Sequence, residues 1–314
     1  MNTPRRPDPS RARIRAFNHS DAAHETPASA FDASDIRYRS LFEHVPIGLY
    51  ITTADGLIVD ANPALIDMLG YPNKQSLLGV KASDLYLDPK DRDLERTLFG
   101  RERVVRDYET RLRRRDGREI WVRDTFSVVR DEHGDVLFYE GTLQDVTDER
   151  RTQEELVYLA THDPLTGVYN RHSLREILDR ETVRARRYRH PIGVLMIDIN
   201  RFKEVNDRFG HALGDRVLET VADILNRSVR ESDIVVRYGG DEFLVLLLET
   251  DGETETVRAR MLHEMSQRMG VAPLLDLPIT LAIGAAHWMP EGTSSIEAAL
   301  MEADAAMYAV KRGA

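Results

Sequence analysis

Cysteine is absent from this 314-residue sequence, and its absence excludes several kinds of chemistry. Without thiols there can be no disulfide, no thiolate metal site, no covalently attached c-type haem and no flavin bound through cysteine. Long apolar runs are also missing, since no stretch approaches the ~18 residues of a membrane span. The arginines near the N-terminus, Arg5, Arg6 and Arg11 among them, are not followed by the apolar segment of a secretory signal. We therefore expect a cytoplasmic protein.

Net positive charge is lacking as well, because the formal net charge is -10 at pH 7. This acidic balance argues against a general nucleic-acid binder, although it leaves room for a local site that binds phosphates. The length suits about two domains, each able to bury a core of its own.

The first 145 residues of the sequence divide into a tail and a small domain. Residues 1–35 are rich in Pro, Ser, Ala and Arg without periodicity, which predicts a disordered tail; it is a solvated arm or, alternatively, touches anionic lipid or nucleic acid. Residues 36–145 show short strands joined by turns, which predicts an α+β domain with an antiparallel sheet. The predicted turns lie at Asp55-Gly56, Asp116-Gly117 and His133-Gly134.

A connecting helix over 146–160 is predicted next, where polar residues surround Val146, Leu156 and Leu159. Its apolar seam is short, so both pairing with a second copy and a single helix stay open. Residues 161–314 form the last domain, in which helices alternate with strands in an α/β pattern. Helices are predicted near 171–188, 201–208, 214–229, 252–269 and 295–311, and strands at "IGVLMIDI" and "PITLAIGAA".

Two carboxylates stand at the start of an apolar strand in "RYGGDEFLVL", directly after a predicted two-residue Gly-Gly turn. Asp241 and Glu242 are unexpected there, because acids are depleted in strands and adjacent like charges repel. Asp198 ends the strand "IGVLMID" and would join them if the two strands were neighbours. Three such carboxylates suit Mg²⁺ or Mn²⁺. The alternatives are a soluble turn for the pair and a helix cap for Asp198.

Lysine is scarce, and after Lys90 only Lys203 and Lys311 remain. An ammonium is a common phosphate ligand, so both are candidates for contact with a triphosphate, the alternative being a solvated helix face. Asn206 and Asp215 together offer an amide and a carboxylate that suit the edge of guanine. Taken alone, such residues are more often turn or cap residues.

The segments "DINRFKEVNDRFGHALGD", "RYGGDEF" and "HDPLTGVYNR" together resemble the GGDEF-domain diguanylate cyclases, from about residue 156 onward. The resemblance implies a fold related to the palm of nucleotide cyclases and the synthesis of cyclic di-GMP from two GTP. Because one domain binds one GTP, it also implies a homodimer. It makes His162 part of the hinge between the helix and the catalytic domain. The family continues past its last helix with a glycine-arginine segment, whereas this sequence ends at Ala314.

The resemblance also implies roles for individual residues. Glu242 becomes a metal ligand or proton acceptor and Lys203 a phosphate and transition-state contact. Arg230 and Asp233 form an Arg-x-x-Asp pair that matches the family's product-inhibition site, the alternative being a solvated turn. Magnesium or manganese would be held by Asp198, Asp241, Glu242 and the backbone of Ile199. The substrate-binding residues would be Phe202, Lys203, Asn206, His211, Asp215, Gly239, Gly240 and Lys311.

The first domain resembles a PAS sensor through "LFEHVPIGLYITTADGLIVDANPALIDMLGY", "RRRDGREIWV" and "GTLQDVTDERR". Its histidines, His44 and His133, are predicted in exposed loops and are not placed like haem ligands. The sequence indicates no PAS ligand, so sensing and simple dimerisation both stay open.

The expected fold class is therefore α+β, with a PAS-like antiparallel sheet, a connecting helix and a GGDEF domain. The leading hypothesis is a PAS-regulated diguanylate cyclase. The alternatives are a degenerate domain that binds GTP or cyclic di-GMP without turnover, and a cyclase that closes one nucleotide on itself.

Overall fold

The computed structural model describes residues 28–88, 90, 104–250, 252–269 and 279–313. They fold as two compact units that divide between Thr152 and Gln153. Of the helices in these ranges, none is both long enough and apolar enough to cross a membrane.

The predicted disordered tail is partly wrong. Its residues 1–27 lie outside the described residues, but residues 28–35 belong to a helix, Ala28–His44. The segment "ASAFDASD" contains three alanines and no glycine or proline, and alanine has the highest helix propensity. The helix also corrects the position of His44, which is its last residue and not part of a loop.

The N-terminal unit is built on a five-stranded sheet in the order β2-β1-β5-β4-β3, with every neighbouring pair antiparallel. The three predicted turns are confirmed, and their glycines Gly56, Gly117 and Gly134 have φ of 86°, 86° and 87°. Leucines from the short helices, such as Leu65 and Leu77, pack on one face of the sheet. The elements are α1 (Ala28–His44), β1 (Gly48–Thr53), β2 (Ile58–Ala61), α2 (Pro63–Met68), α3 (Lys74–Leu77), a 3₁₀ turn (Ala82–Leu85), β3 (Val104–Arg113), β4 (Glu119–Arg130) and β5 (Val136–Asp145).

A helix, α4 (Thr147–Thr161), follows the last strand of this sheet, close to the predicted connecting helix. None of its side chains is buried, and Leu156, Val157, Tyr158 and Leu159 are about half exposed or more. Val146 was predicted to share this apolar seam. It lies just before the helix and is 1% exposed, so it contributes to a core instead.

The C-terminal unit is also built on five strands, in the order β10-β7-β9-β8-β6. Its pairs are antiparallel except the short β6–β8 pair, so the α/β interpretation of this domain is wrong, whereas the expected α+β fold class is confirmed. The elements are β6 (Tyr169–Asn170), α5 (Leu174–Tyr188), β7 (Ile192–Ile199), α6 (Phe202–Phe209), α7 (His211–Arg227), β8 (Ile234–Gly239), β9 (Glu242–Leu248), α8 (Thr254–Met269), β10 (Leu281–Trp288) and α9 (Ile296–Gly313).

The inner strand β7 is buried along its whole length because helices cover both faces of the sheet. Residues of α7 and α8, such as Val217 and Met261, pack on one face, whereas Ala303 and Met307 of α9 pack on the other. Residues that alternate along β7 therefore serve different cores.

Helix α9 lies very close to β10 at Gly284. A Cβ atom on this residue would lie 2.1 Å from the carbonyl oxygen of Ala303 and 2.2 Å from the amide nitrogen of Met307. Only glycine permits so short an approach of two backbones. The contact fixes the helix against the sheet one turn before Lys311.

Candidate active site

The turn between β8 and β9 differs by one residue from the predicted Gly-Gly turn. Gly239 still belongs to β8 and is paired with Glu242, so Gly240 and Asp241 form the two-residue turn. A shift in register between Arg237 and Gly239 accounts for the difference. Gly240 has φ of 38°, a left-handed conformation that glycine adopts without strain.

The strand register brings two of the predicted acids together. β7 and β9 are antiparallel neighbours, and Asp198 at the end of β7 lies directly opposite Glu242 at the start of β9. Directly opposed residues point to the same face of a sheet. Ala282 of β10 is opposite Asp198 on its other side, so the row faces α9. Asp241 is held next to this row by its carbonyl oxygen, which accepts a hydrogen bond of 3.3 Å from the Ile199 amide.

A lysine from the last helix reaches the same point. Lys311 Nζ donates a hydrogen bond of 2.7 Å to Asp198 Oδ2. The other oxygen, Oδ1, is buried and has no hydrogen-bond partner within the described part of the chain. Lys311 was predicted to contact substrate, and in this structure its ammonium is the counter-ion of Asp198.

Burial and neighbouring acids raise the pKa values of Asp198 and Glu242. Burial, followed by the charge of Asp241, raises the pKa of Asp198 although its hydrogen bond with Lys311 acts in the opposite direction. Burial and the charges of Asp198, Asp241 and Asp304 raise the pKa of Glu242. One lysine therefore does not compensate the negative charge collected here.

The residues present fit a dication, with one condition. An uncompensated acidic cluster with a buried, unpartnered oxygen at Asp198 is a donor set that Mg²⁺ or Mn²⁺ accepts. In the ranges that the structure describes, however, no three His, Cys, Asp or Glu side chains are placed to hold one metal ion as they stand. A dication would therefore need backbone, water or substrate oxygens in addition, as Mg²⁺ commonly does.

The predicted base readers lie at the junction of α6 and α7. Helix α7 begins at His211, three residues earlier than predicted, after Gly210 with φ of 83°. Gly214 therefore falls inside the helix, where a Cβ atom would lie 2.0 Å from Asn206 Oδ1. The absent side chain makes the space in which the Asn206 amide packs, and Asp215 is the next residue of the helix.

The remaining predicted residues of this region differ in exposure. Phe202 is partly buried and packs against the core, and its ring borders Gly214. Lys203, His211 and Asp215 are exposed and make no hydrogen bond or ion pair with the residues described here. Their side chains are therefore available to a ligand.

Comparison with known families agrees with this geometry. Residues 160–314 match the family described as "Diguanylate cyclase, GGDEF domain", and residues 46–148 match a PAS domain. The chain therefore contains a PAS domain followed by a GGDEF domain.

Similar proteins of known name cover this chain to different extents. Diguanylate cyclase DgcM of Escherichia coli K12 is 28% identical over 280 residues, which is 86% of this chain and 65% of that protein. Cyclic di-GMP phosphodiesterase PdeR of the same strain is 34% identical over 178 residues, 56% of this chain and 26% of that protein. This chain thus spans less than two thirds of the length of either relative. A crystal structure of the coiled coil and GGDEF domain of DgcB from Caulobacter crescentus with c-di-GMP is 31% identical, covers 54% of this chain and 89% of that one, and has a TM-score of 0.49.

Arg237 of the GGDEF domain is a functional candidate that sequence reasoning missed. Its Nη1 lies 3.0 and 3.1 Å from the two carboxylate oxygens of Asp163, and its Nε and Nη2 donate to the Gly240 carbonyl oxygen at 3.0 and 2.8 Å. It therefore joins the "HDPLTG" segment to the turn that carries Asp241. A lone arginine two residues before the glycines was the available signal.

Asp304 is a second residue that sequence reasoning missed. It lies seven residues, or about two helical turns, before Lys311 on α9, and this spacing was the available signal.

The Arg-x-x-Asp pair has partners of its own. Asp233 Oδ2 accepts a hydrogen bond from the Arg230 amide at 2.9 Å, and Oδ1 accepts one from the Leu248 amide at 2.9 Å. The exposed Arg230 guanidinium lies 2.5 Å from Glu253 Oε2. Asp233 therefore holds its turn to β9 through backbone hydrogen bonds. The Arg230 side chain, in contrast, is held by a surface ion pair with Glu253.

Each end of α4 is attached to a neighbouring element. At its first turns Arg150 Nε donates to Glu109 Oε2 at 2.9 Å, and the guanidinium lies over the Trp121 ring at 3.9 Å from its centroid. At its last turn the His162 ring is stacked between Tyr158 and Tyr169, at 4.4 and 4.5 Å. The helix is thus attached to the PAS sheet and, through His162, to the start of the GGDEF domain.

The PAS core contains a cavity of about 40 Å³, which corresponds to roughly three water molecules. Aliphatic residues such as Leu65 and Leu112 form part of its lining, together with the buried Asp124, which accepts hydrogen bonds of 3.0 and 2.9 Å from Tyr50 Oη. His44 and His133 do not line it. Both are exposed, as predicted.

Proposed function

We propose that this chain is a diguanylate cyclase, which condenses two GTP into cyclic di-GMP and two pyrophosphates and depends on Mg²⁺ or Mn²⁺. The observation that carries the proposal is the undercompensated carboxylate row of Asp198 and Glu242 beside Asp241. Its family membership and the similarity to named diguanylate cyclases support the same reaction.

The reaction joins the 3'-oxygen of one GTP to the α-phosphorus of another as the bond to pyrophosphate breaks. A bound dication would neutralise the carboxylates and the charge that develops on the phosphate oxygens. Glu242 has a raised pKa, which suits a group that accepts the 3'-hydroxyl proton, so it acts as base or ligand. Lys203 supplies an exposed ammonium for the phosphates.

Guanine is the base that this arrangement favours. Asp215 accepts from guanine N1–H and its amino group, and the Asn206 amide contacts other atoms of the same edge. Adenine presents a different pattern of donors and acceptors. Gly214 supports the assignment because its missing side chain fixes where Asn206 packs.

Pairing of two chains would complete the reaction, because each GGDEF domain presents one such site. The exposed apolar side chains of α4, Leu156 and Leu159 among them, offer a surface for pairing with a second copy. The attachment of α4 at both ends gives the PAS domain a route to control that pairing. We also propose that cyclic di-GMP inhibits the enzyme at Arg230 and Asp233.

The decisive experiment incubates the purified chain with GTP and Mg²⁺ and identifies the product by mass. We expect cyclic di-GMP, and none when a chelator replaces Mg²⁺. A protein that binds GTP or cyclic di-GMP without forming product would be a binding module, and a product made from one nucleotide would indicate a different cyclase.

A truncated chain without residues 1–145 tests the regulatory part. Because the removed segment would raise the local concentration of catalytic partners, activity should fall at low protein concentration and partly return at high concentration. The same rate per subunit across a dilution series would remove the PAS domain from control of pairing.

A further inference from the structure

The contact between Lys311 and Asp198 joins a partly exposed cation to a buried anion. The Asp198 side chain is 5% exposed, whereas that of Lys311 is 41% exposed. Lys311 lies two residues before the end of α9, so its long side chain can turn toward solvent while the helix stays fixed at Gly284. The ammonium can therefore leave Asp198 without any movement of the fold.

The negative charge around this contact favours a cation that carries more charge than the lysine ammonium. Burial lowers the pKa of Lys311, but its hydrogen bond with Asp198 and the charges of Asp198, Asp241 and Glu242 outweigh burial and raise it. Asp304 adds a further negative charge that acts on Glu242. The ammonium thus supplies one positive charge where several carboxylates are crowded.

A dication that takes the unpartnered Asp198 Oδ1 would lie close to the ammonium that Oδ2 of the same carboxylate holds. Two cations cannot share one carboxylate at bonding distance without strong repulsion. We propose that Lys311 is the resident counter-ion of the metal-free site, and that a divalent cation must displace it from Asp198 in order to bind. Lysine and metal ion then compete for the same carboxylate, and the displaced ammonium becomes available to the triphosphate. This inference rests on the proposed function, which assigns the dication to these carboxylates.

The test is a Mn²⁺ titration of the full-length chain without nucleotide, in which the electron paramagnetic resonance signal reports free Mn²⁺. Lys311→Met keeps the aliphatic stem but removes the competing charge, so it should bind Mn²⁺ about tenfold more tightly than the parent chain, as expected for loss of a partly exposed ion pair. Lys311→Gln provides a second variant should Met disturb folding.

Arg312→Met is the matched control. Arg312 is the next residue on the same helix, and its guanidinium lies over the Tyr308 ring at 4.9 Å instead of on Asp198. This variant loses the same unit of charge without breaking the pair, so its affinity for Mn²⁺ should remain close to that of the parent.

A second readout follows the ion pair itself in the presence of a chelator. Lys311→Met should lower the unfolding midpoint in the parent background, because it leaves Asp198 buried without a counter-ion, and should lower it much less in an Asp198→Asn background.

The possible outcomes separate the two proposals. Equal Mn²⁺ affinity in the parent and the Lys311 variants would overturn the competition while leaving the metal site in place. Equal tightening in Lys311→Met and Arg312→Met would attribute the effect to overall charge and overturn it as well. If neither the parent nor the variants bind Mn²⁺ without nucleotide, the competition fails, and the GTP assay with Mg²⁺ or chelator decides the metal-dependent function separately.

Discussion

The PAS and GGDEF domains each carry a carboxylate on the face of a five-stranded sheet, but they neutralise it differently. In the PAS domain Glu109 receives hydrogen bonds from two arginines, Arg150 and Arg123, and these lower its pKa. In the GGDEF domain Asp198 and Glu242 are surrounded by further acids and one lysine, and their pKa values are raised. A carboxylate that is paired with enough protein cations joins secondary-structure elements to one another. A carboxylate that has too few protein cations is a candidate site for a bound cation.

The largest expected effect is on turnover. Glu242→Gln should reduce cyclic di-GMP synthesis by about 10²- to 10⁴-fold, because an amide is neither a base nor a good metal ligand. The measurement is the initial rate with GTP and Mg²⁺, and circular dichroism serves as the control for folding. Near-normal synthesis by the folded variant would show that this acid is not part of the chemistry.

Asp215 is an exposed carboxylate that forms no ion pair with the described residues, so it extends the comparison to the binding of a ligand. Asp215→Ala should weaken GTP binding by about 1 to 3 kcal/mol, on the scale of a bidentate contact to a base. ATP binding should change much less, because adenine lacks the N1–H and the 2-amino group from which Asp215 would accept hydrogen bonds. Equal weakening of both nucleotides would make Asp215 structural.

The comparison also predicts opposite effects on stability in a metal-free solution. Glu109→Gln should lower the local stability of the PAS sheet by about 1 to 3 kcal/mol, since it breaks charge-assisted hydrogen bonds. Glu242→Gln should instead raise the stability of the GGDEF sheet, because it removes a crowded charge. Hydrogen exchange of the strand amides, with chelator present, measures both. Two changes of the same sign would break the comparison.

Asp163 is a further carboxylate that is paired with a protein cation, Arg237, and its contribution to stability should depend on pH. Burial raises the pKa of Asp163, but hydrogen bonds from Thr166 and Arg237 outweigh burial and lower it. A lowered pKa in the folded state stabilises the protein above the unfolded value of about 3.9, and this stability is lost as the pH falls through the folded value. The difference in unfolding midpoint between the parent and Asp163→Asn should therefore be constant from pH 7 to about 5 and shrink below about 4. A difference that grows on acidification would contradict this.

The smallest effect is expected at Arg230, which already has an acidic partner. Arg230→Ala should leave the initial rate almost unchanged, because the residue lies outside the proposed active site. Product inhibition in progress curves should disappear, and cyclic di-GMP should bind more weakly. A variant that slows with accumulating product as the parent does would return Arg230 to a purely structural role.

The sequence by itself determined the local elements and the chemistry available to them. Asp-Gly and His-Gly dipeptides predicted the three PAS turns, whose glycines have positive φ, and the segment "IGVLMIDI" predicted β7 with its observed bounds, Ile192–Ile199. Three separated segments were specific enough to indicate the family before any geometry was known. These signals are local, because backbone sterics and hydrophobic runs act over a few residues.

Only the tertiary structure decided which residues meet. The placement of Asp198 opposite Glu242 depends on antiparallel pairing, which the alternation of helices and strands had not predicted. Lys311 lies 113 residues from Asp198 in the chain, and the approach of α9 to Gly284 brings it there. Arg237 gained its role in the same way, through a partner 74 residues away. Such contacts follow from the packing of distant elements, for which a single sequence carries no local signal.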